Sequence, residues 1–237
     1  MKQTTRTPEG ASGDPAHCVD CGHPRERKAC VTPPGKSPGF CPMRTHPEVI
    51  ASGQEAYEDP AVRELGRQAS LQESAGYADR HARPFVKRPC KTRIEEICEF
   101  AHRMGYRRLG LAYCIGLEAE ARIVARIFSA HDLEVVSVMC KVGAVPKESL
   151  GLSDSDKIRA GQHESMCNPI TQAALLDDAG AELNVLLGLC VGHDSLFLRR
   201  SRAPCTVLAV KDRVTGHNPL AAVYTAGSYY DRLRREG

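Results

Sequence analysis

A chain of 237 residues, 42% hydrophobic and 26% charged, has a globular composition and the length for one or two domains with a real core. Its 32 Lys and Arg against 29 Asp and Glu give a formal charge of +3, too small to argue for nucleic acid, and 5% aromatic content without Trp disfavours a base-stacking platform. No apolar run is long enough to span a bilayer, and the eleven cysteines, an odd number, fit metal ligation in the reducing cytoplasm better than a disulfide framework.

Residues 1–17 read as a disordered lead without the apolar core of a secretory signal. Residues 18–45 read as a four-cysteine metal-binding module. Cys18-Val19-Asp20-Cys21 is followed by Cys30 and Cys41, and Pro33, Pro34, Gly35, Pro38 and Gly39 disfavour regular structure between them. A Cys-x-x-Cys pair lets two thiolates bind one centre from one turn, so these four soft ligands suit tetrahedral Zn(II) or an iron–sulfur cluster. The later spacings match no common zinc ribbon or finger. Arg25, Arg27 and Lys28 would offset thiolate charge.

Residues 46–90 read as a helical linker, with a helix over 60–81 carrying Val62, Leu65, Leu71 and Ala75. Residues 91–237 read as an α/β domain. Thr92 and Glu95 form a capping box, and Ile94, Ile97, Cys98 and Ala101 follow helical spacing. Apolar runs predict strands over 107–113, 133–139, 183–189 and 206–210. They alternate with helices over 117–131, from Asn168-Pro169, and from near Asp194. The fold class expected is α/β, a parallel, doubly wound, Rossmann-like sheet of about four to five strands with a small N-terminal Cys-rich metal module.

Three of these strands run into cysteine: Cys114, Cys140 and Cys190. Neighbouring parallel strands end on one sheet edge, where open α/β sheets place ligands. Cys167 stands just before the Asn168-Pro169 helix start, whose amides favour a thiolate. Cys114, Cys140, Cys167 and Cys190 are therefore expected to share a second metal site. The plainer alternative is that some are small buried hydrophobes. Cys98 and Cys205 read as core, and Cys90 as an unligated thiol.

The loop over 141–166 is long enough to be expected to cover the sheet-edge site. His163 in that loop, His193 after the Cys190 turn, and Lys211 and His217 after the fourth strand are candidate cofactor-binding residues, with ordinary polar loop residues as the alternative. There is no G-x-G-x-x-G after the first strand, no P-loop and no G-x-S-x-G elbow, so no nicotinamide or nucleoside triphosphate is expected.

The N-terminal Cys-x-x-Cys module, Met166-Cys167-Asn168-Pro169-Ile170, Gly188-Leu189-Cys190-Val191-Gly192-His193-Asp194, and the stretch from Val210 to Pro219 resemble a prokaryotic family, the "domain of unknown function eighteen-forty-seven" proteins. The resemblance runs from about Cys18 to Tyr224. Some members carry the label metal-binding protein, so the resemblance implies metal and no particular reaction.

The expected function is that of a cytoplasmic metal-binding protein. An iron–sulfur (4Fe–4S) cluster at the soft sheet-edge site would give it a redox or electron-transfer role with a redox partner protein. The alternative is a Zn(II) protein of metal-handling or regulatory role without catalysis. Neither a membrane nor a nucleic-acid partner is expected.

Overall fold

The computed structural model describes residues 15–235, so the expected lead falls outside it up to residue 14. The chain divides between Arg67 and Gln68 into two compact units. No helix among the described residues is long and apolar enough to cross a membrane.

The first unit is built from turns and short helices. Single 3-10 turns cover Cys18–Asp20 and Arg25–Arg27, and Lys28 bridges Lys36. Gly35 permits that bridge: a Cβ there would lie 2.6 Å from the backbone of Lys28 and Ala29. Helices α1 (Pro42–Thr45), α2 (Pro47–Glu55) and α3 (Pro60–Ala75) each begin on proline, where the missing N–H costs nothing. Asp59 caps α3 by accepting from Ala61 N at 2.7 Å and Val62 N at 3.2 Å. None of residues 15–67 is buried.

In the second unit, α3 ends at Ala75, short of the expected His81. Its last turn closes when Gly76 N–H donates to Gln72 O. Tyr77–Ala78 (β1) then pairs antiparallel with Arg88–Pro89 (β2), so a ladder takes the backbone groups that a longer helix would have used. Helix α4 (Arg93–Arg103) carries the expected capping box: Thr92 N and Oγ1 donate to Glu95 Oε2 at 2.7 and 2.6 Å.

From there the α/β alternation holds: β3 (Arg108–Tyr113), α5 (Glu118–Ala130), β4 (Glu134–Met139), α6 (Pro169–Asp178), β5 (Leu183–Leu189), α7 (His193–Arg200), β6 (Cys205–Val210) and a short α8 (Leu220–Tyr224). The sheet is four-stranded and parallel in the order β4-β3-β5-β6. The chain leaves β3 for one neighbour and later returns to its other side, and such reversals open a ligand crevice at the strands' C-terminal ends.

Two apolar clusters sandwich the sheet. Leu109, Leu111, Leu183, Val185 and Leu187 pack with Val124 and Phe128 on one side. Ala112, Leu186 and Leu189 pack with Leu176 and Phe197 on the other. Side chains alternate along a strand, yet Leu187 and Leu189 fall on opposite sides. The cause lies between them: Gly188 has φ +67, and the β5–β6 register slips there. The bulge re-aims the end of β5 just before Cys190.

Candidate functional site

The cysteines after β3, β4 and β5 reach one edge by topology. Cys114 N donates to Leu187 O at 3.1 Å and Cys140 N to Tyr113 O at 2.9 Å, so both continue the ladder one step past their strands. Cys167 arrives by another route. Asn168 caps α6 by accepting from Thr171 N at 3.2 Å, and its own N–H donates to Cys140 O at 2.7 Å. Lys141 Nζ adds a bond to Ser165 O at 2.6 Å. The long loop is thus pinched shut at its base, with Cys167 held against Cys140.

Cys114, Cys140, Cys167 and Cys190 line one pocket together with Gln172, Leu189 and His193, and it has no room for a water molecule. Cys114 and Cys140 are buried, at 8% and 2% exposed, while Cys167 and Cys190 are half-buried. Cys140 is the middle of a hydrogen-bonded row. Its thiol is pushed strongly upward by the neighbouring Cys114 sulfur, then by Cys167 and by burial. Ile115 N also donates to Cys140 Sγ at 3.4 Å.

The outer two sulfurs of the row are shifted the other way. Cys114 is lowered to about 5, foremost by the hydrogen bond from Cys140 and with help from the Gly116 N–H and Lys211, against the opposing effect of burial. Cys167 is lowered to about 5, again foremost by Cys140, with Lys141 and His193 assisting. Cys190 stands apart from this row, and its Sγ accepts from Arg213 Nη2 at 3.3 Å. Three cations, Lys211, Lys141 and Arg213, therefore attend three sulfurs. Lys211 Nζ lies within ordinary contact distance of where a Cβ would stand at Gly116, 3.4 Å, and at Gly188, 3.7 Å.

Of the other expected residues, His193 lines the cavity and Lys211 stands beside Cys114. His163 is turned to Ser165 Oγ at 3.1 Å, and His217 Nδ1 accepts from Asp212 N at 3.1 Å; neither lines the cavity. Gln172 is the residue sequence reasoning missed. Its signal was a polar side chain on the buried face of α6, beside Ala173 and Leu176.

The N-terminal cysteines sit on turns. Cys18 and Cys30 are exposed, Cys21 and Cys41 half-buried, and Cys41 precedes Pro42 at the start of α1. Among the described residues, no three or more His, Cys, Asp or Glu side chains form a group that could hold a metal ion. Neither the N-terminal four nor the sheet-edge four are drawn into such a group.

Fold and site together define a parallel α/β protein with a nest of thiols at the carboxyl edge of its sheet. The sequence profile of a "protein of unknown function" family, DUF1847, matches residues 41–208, and the chain belongs to that family. The match includes all four sheet-edge cysteines and begins at Cys41, leaving Cys18, Cys21 and Cys30 outside it. The chain is also similar to "Uncharacterized protein MJ0455" of Methanocaldococcus jannaschii. The two are 50% identical over 147 residues, which cover 62% of this chain and 73% of that relative.

Proposed function

We propose that Cys114, Cys140, Cys167 and Cys190 hold a thiolate-bound metal centre, an iron–sulfur cluster, that serves redox chemistry. The observation that carries this reading is that four chain segments each deliver one thiol to one cavity. Thiolates gathered in a partly buried space repel one another unless a cation is shared among them. Soft sulfur donors favour iron–sulfur, zinc or copper(I) over hard cations.

A thiolate-bound cluster supplies one-electron transfer. The chain's own residues would set its surroundings. Lys141, Lys211 and Arg213 offset the sulfur charge, the Ile115 and Gly116 N–H groups point at sulfur, and Leu189 helps to exclude water. Electrons would come from a redox partner protein, and the reducing cytoplasm is the compartment that keeps the thiols available. The N-terminal Cys18, Cys21, Cys30 and Cys41 form a second, structural metal knot in this reading. Its support is that residues 15–67 bury no side chain, and small units without a core commonly fold around a metal.

The test is anaerobic purification followed by metal and sulfide analysis and a UV–visible spectrum. Iron with a broad absorption near about 400 nm is the expected result for thiolate-bound clusters. Stoichiometric zinc in a colourless protein would replace iron–sulfur by the metal-handling alternative, and a metal-free chain would end the proposal.

A further inference from the structure

The turn that joins β1 to β2 is rich in positive charge. Arg80, Arg83, Lys87 and Arg88 stand there, and Asp79 balances only Arg88, at 3.1 Å. Among the described residues, Arg80, Arg83 and Lys87 have no carboxylate partner. All three line a cleft of about 610 Å³ between the last turns of α3 and this turn, within the second unit. That volume suits a small molecule.

The walls of the cleft are tied in place. Arg80 Nη1 donates to Ser74 Oγ on α3 at 2.9 Å. Arg83 Nη1 donates to Ala82 O at 2.8 Å, and Ala82 N to Asp79 O at 2.9 Å. Cys90 N donates to Gly76 O at 2.9 Å and fixes the far end of the turn. Each guanidinium thus spends one nitrogen on the fold and keeps further N–H groups for a ligand. Lys87 Nζ is held 4.5 Å over the Tyr77 ring. Phe85, on the same cleft, is 50% exposed, an apolar ring with half its surface in water.

The three cations and the Glu73 carboxylate leave the lining with a surplus of two positive charges. A phosphomonoester near neutral pH carries close to the opposite charge. We propose that this cleft binds a small phosphomonoester carried on a flat ring, of the nucleoside monophosphate class. Arg80 and Arg83 offer the paired N–H groups that phosphate oxygens accept, and Lys87 adds a point charge. Phe85 offers a face to the ring, and every base has a π-face to stack on it. Glu73 accepts from a sugar hydroxyl between the two. Binding makes and breaks no covalent bond. The cleft shares no residue with the sheet-edge pocket, so this site stands or falls apart from the metal reading.

The experiment is isothermal titration calorimetry on the full chain at low salt, with adenosine 5′-monophosphate, adenosine and inorganic phosphate as separate titrants. A single-stranded oligonucleotide without a terminal phosphate is the fourth. Wild type is expected to bind the monophosphate with Kd below about 1 mM, at least tenfold tighter than adenosine or phosphate alone. Phe85→Ala is expected to weaken the monophosphate roughly tenfold and to leave phosphate within about twofold. Arg80→Gln is expected to weaken both by a similar factor. Lys87→Gln, which leaves the bond from Arg80 to Ser74 intact, should do the same with the far-UV circular dichroism of wild type.

No heat of binding with the monophosphate up to about 5 mM overturns the proposal. So does Phe85→Ala weakening phosphate as much as the monophosphate, since the ring would then have no contact of its own. Unaltered affinity in both Arg80→Gln and Lys87→Gln overturns it as well. An oligonucleotide that binds more than tenfold tighter than the monophosphate, with a steep salt dependence, would replace the small ligand by a nucleic-acid backbone.

Discussion

The Asn168 N–H donates to the Cys140 carbonyl at 2.7 Å, and this bond closes the loop over 141–166 at its base. It does two things together. It seats the Asn168-Pro169 start of α6 beside the end of β4, and it sets Cys167 against Cys140. The loop above it is braced by charge. Lys157 is only 5% exposed, and its Nζ reaches Asp154 at 2.6 Å, Glu148 at 2.9 Å and Gln162 O at 2.7 Å. Lys147 pairs with Glu164 at 2.5 Å, and Pro146 bridges Ser165.

Removing that brace should open the loop locally. Lys157→Met strands two carboxylates and a carbonyl without their shared donor, which favours local opening. Limited proteolysis within 147–165 should therefore accelerate measurably while the far-UV circular dichroism stays that of wild type. Unchanged cleavage would show that the network does not hold the loop closed.

Gly188→Ala should damage the second unit from inside the sheet. The residue sits at φ +67, where an L side chain costs about 1–2 kcal/mol. The new Cβ would also lie 2.0 Å from Leu117 Cδ1, and Leu117 is 4% exposed, so it has little room to yield. A total near 2–4 kcal/mol, lowering Tm by roughly 5–15 °C, is the expectation for a unit of this size. A Tm within a degree or two of wild type would mean that the bulge is dispensable.

Acid should weaken the same unit partly through Glu182. Its carboxylate accepts from Arg107 N at 2.7 Å and Arg108 N at 2.9 Å, at the start of β3, and these backbone bonds lower its pKa from 4.5. A depressed carboxylate pKa stabilises the fold above the unfolded value and loses that contribution as pH falls through the folded value. Glu182→Gln should therefore reduce the urea midpoint at pH 7 and bring the variant closer to wild type as pH falls below about 4.5. A difference that stays constant across that range would assign the effect to shape alone.

The sheet and most of its edge were legible because each rests on a local pattern. Apolar runs such as Leu183–Leu189 mark buried strands, and parallel topology then sends Cys114, Cys140 and Cys190 to one edge. Cys167 could be added because Asn168-Pro169 is a local helix-start signal. What escaped depends on long-range geometry. The orphaned acceptor of Gln172 exists only because two strand carbonyls, Tyr113 and Val138, take both its hydrogens. The β1–β2 pair interrupts what helical spacing alone extended to His81. His163 and His217 looked free in sequence, yet each has a neighbour, Ser165 or Asp212, that turns its ring to a local bond.

The sheet-edge thiols should behave as one unit. Cys140 lies between Cys114 and Cys167, and their ionisations depend on one another through it. Removing either end of the row leaves too few thiolates to balance a shared cation, and a vacant corner would admit water to a partly buried charge. Cys114→Ala and Cys167→Ala should each lose the sheet-edge metal completely, seen as loss of its absorption and of its whole metal equivalent and not a fraction of it. Cys90→Ser is the matching control. That thiol is exposed, approaches only Ala75 O at 3.8 Å and lies outside the cavity, so its variant should keep the full metal content and spectrum. If Cys114→Ala retained the wild-type spectrum, the row would be a packing arrangement of buried thiols, and the metal centre would have to be sought among Cys18, Cys21, Cys30 and Cys41.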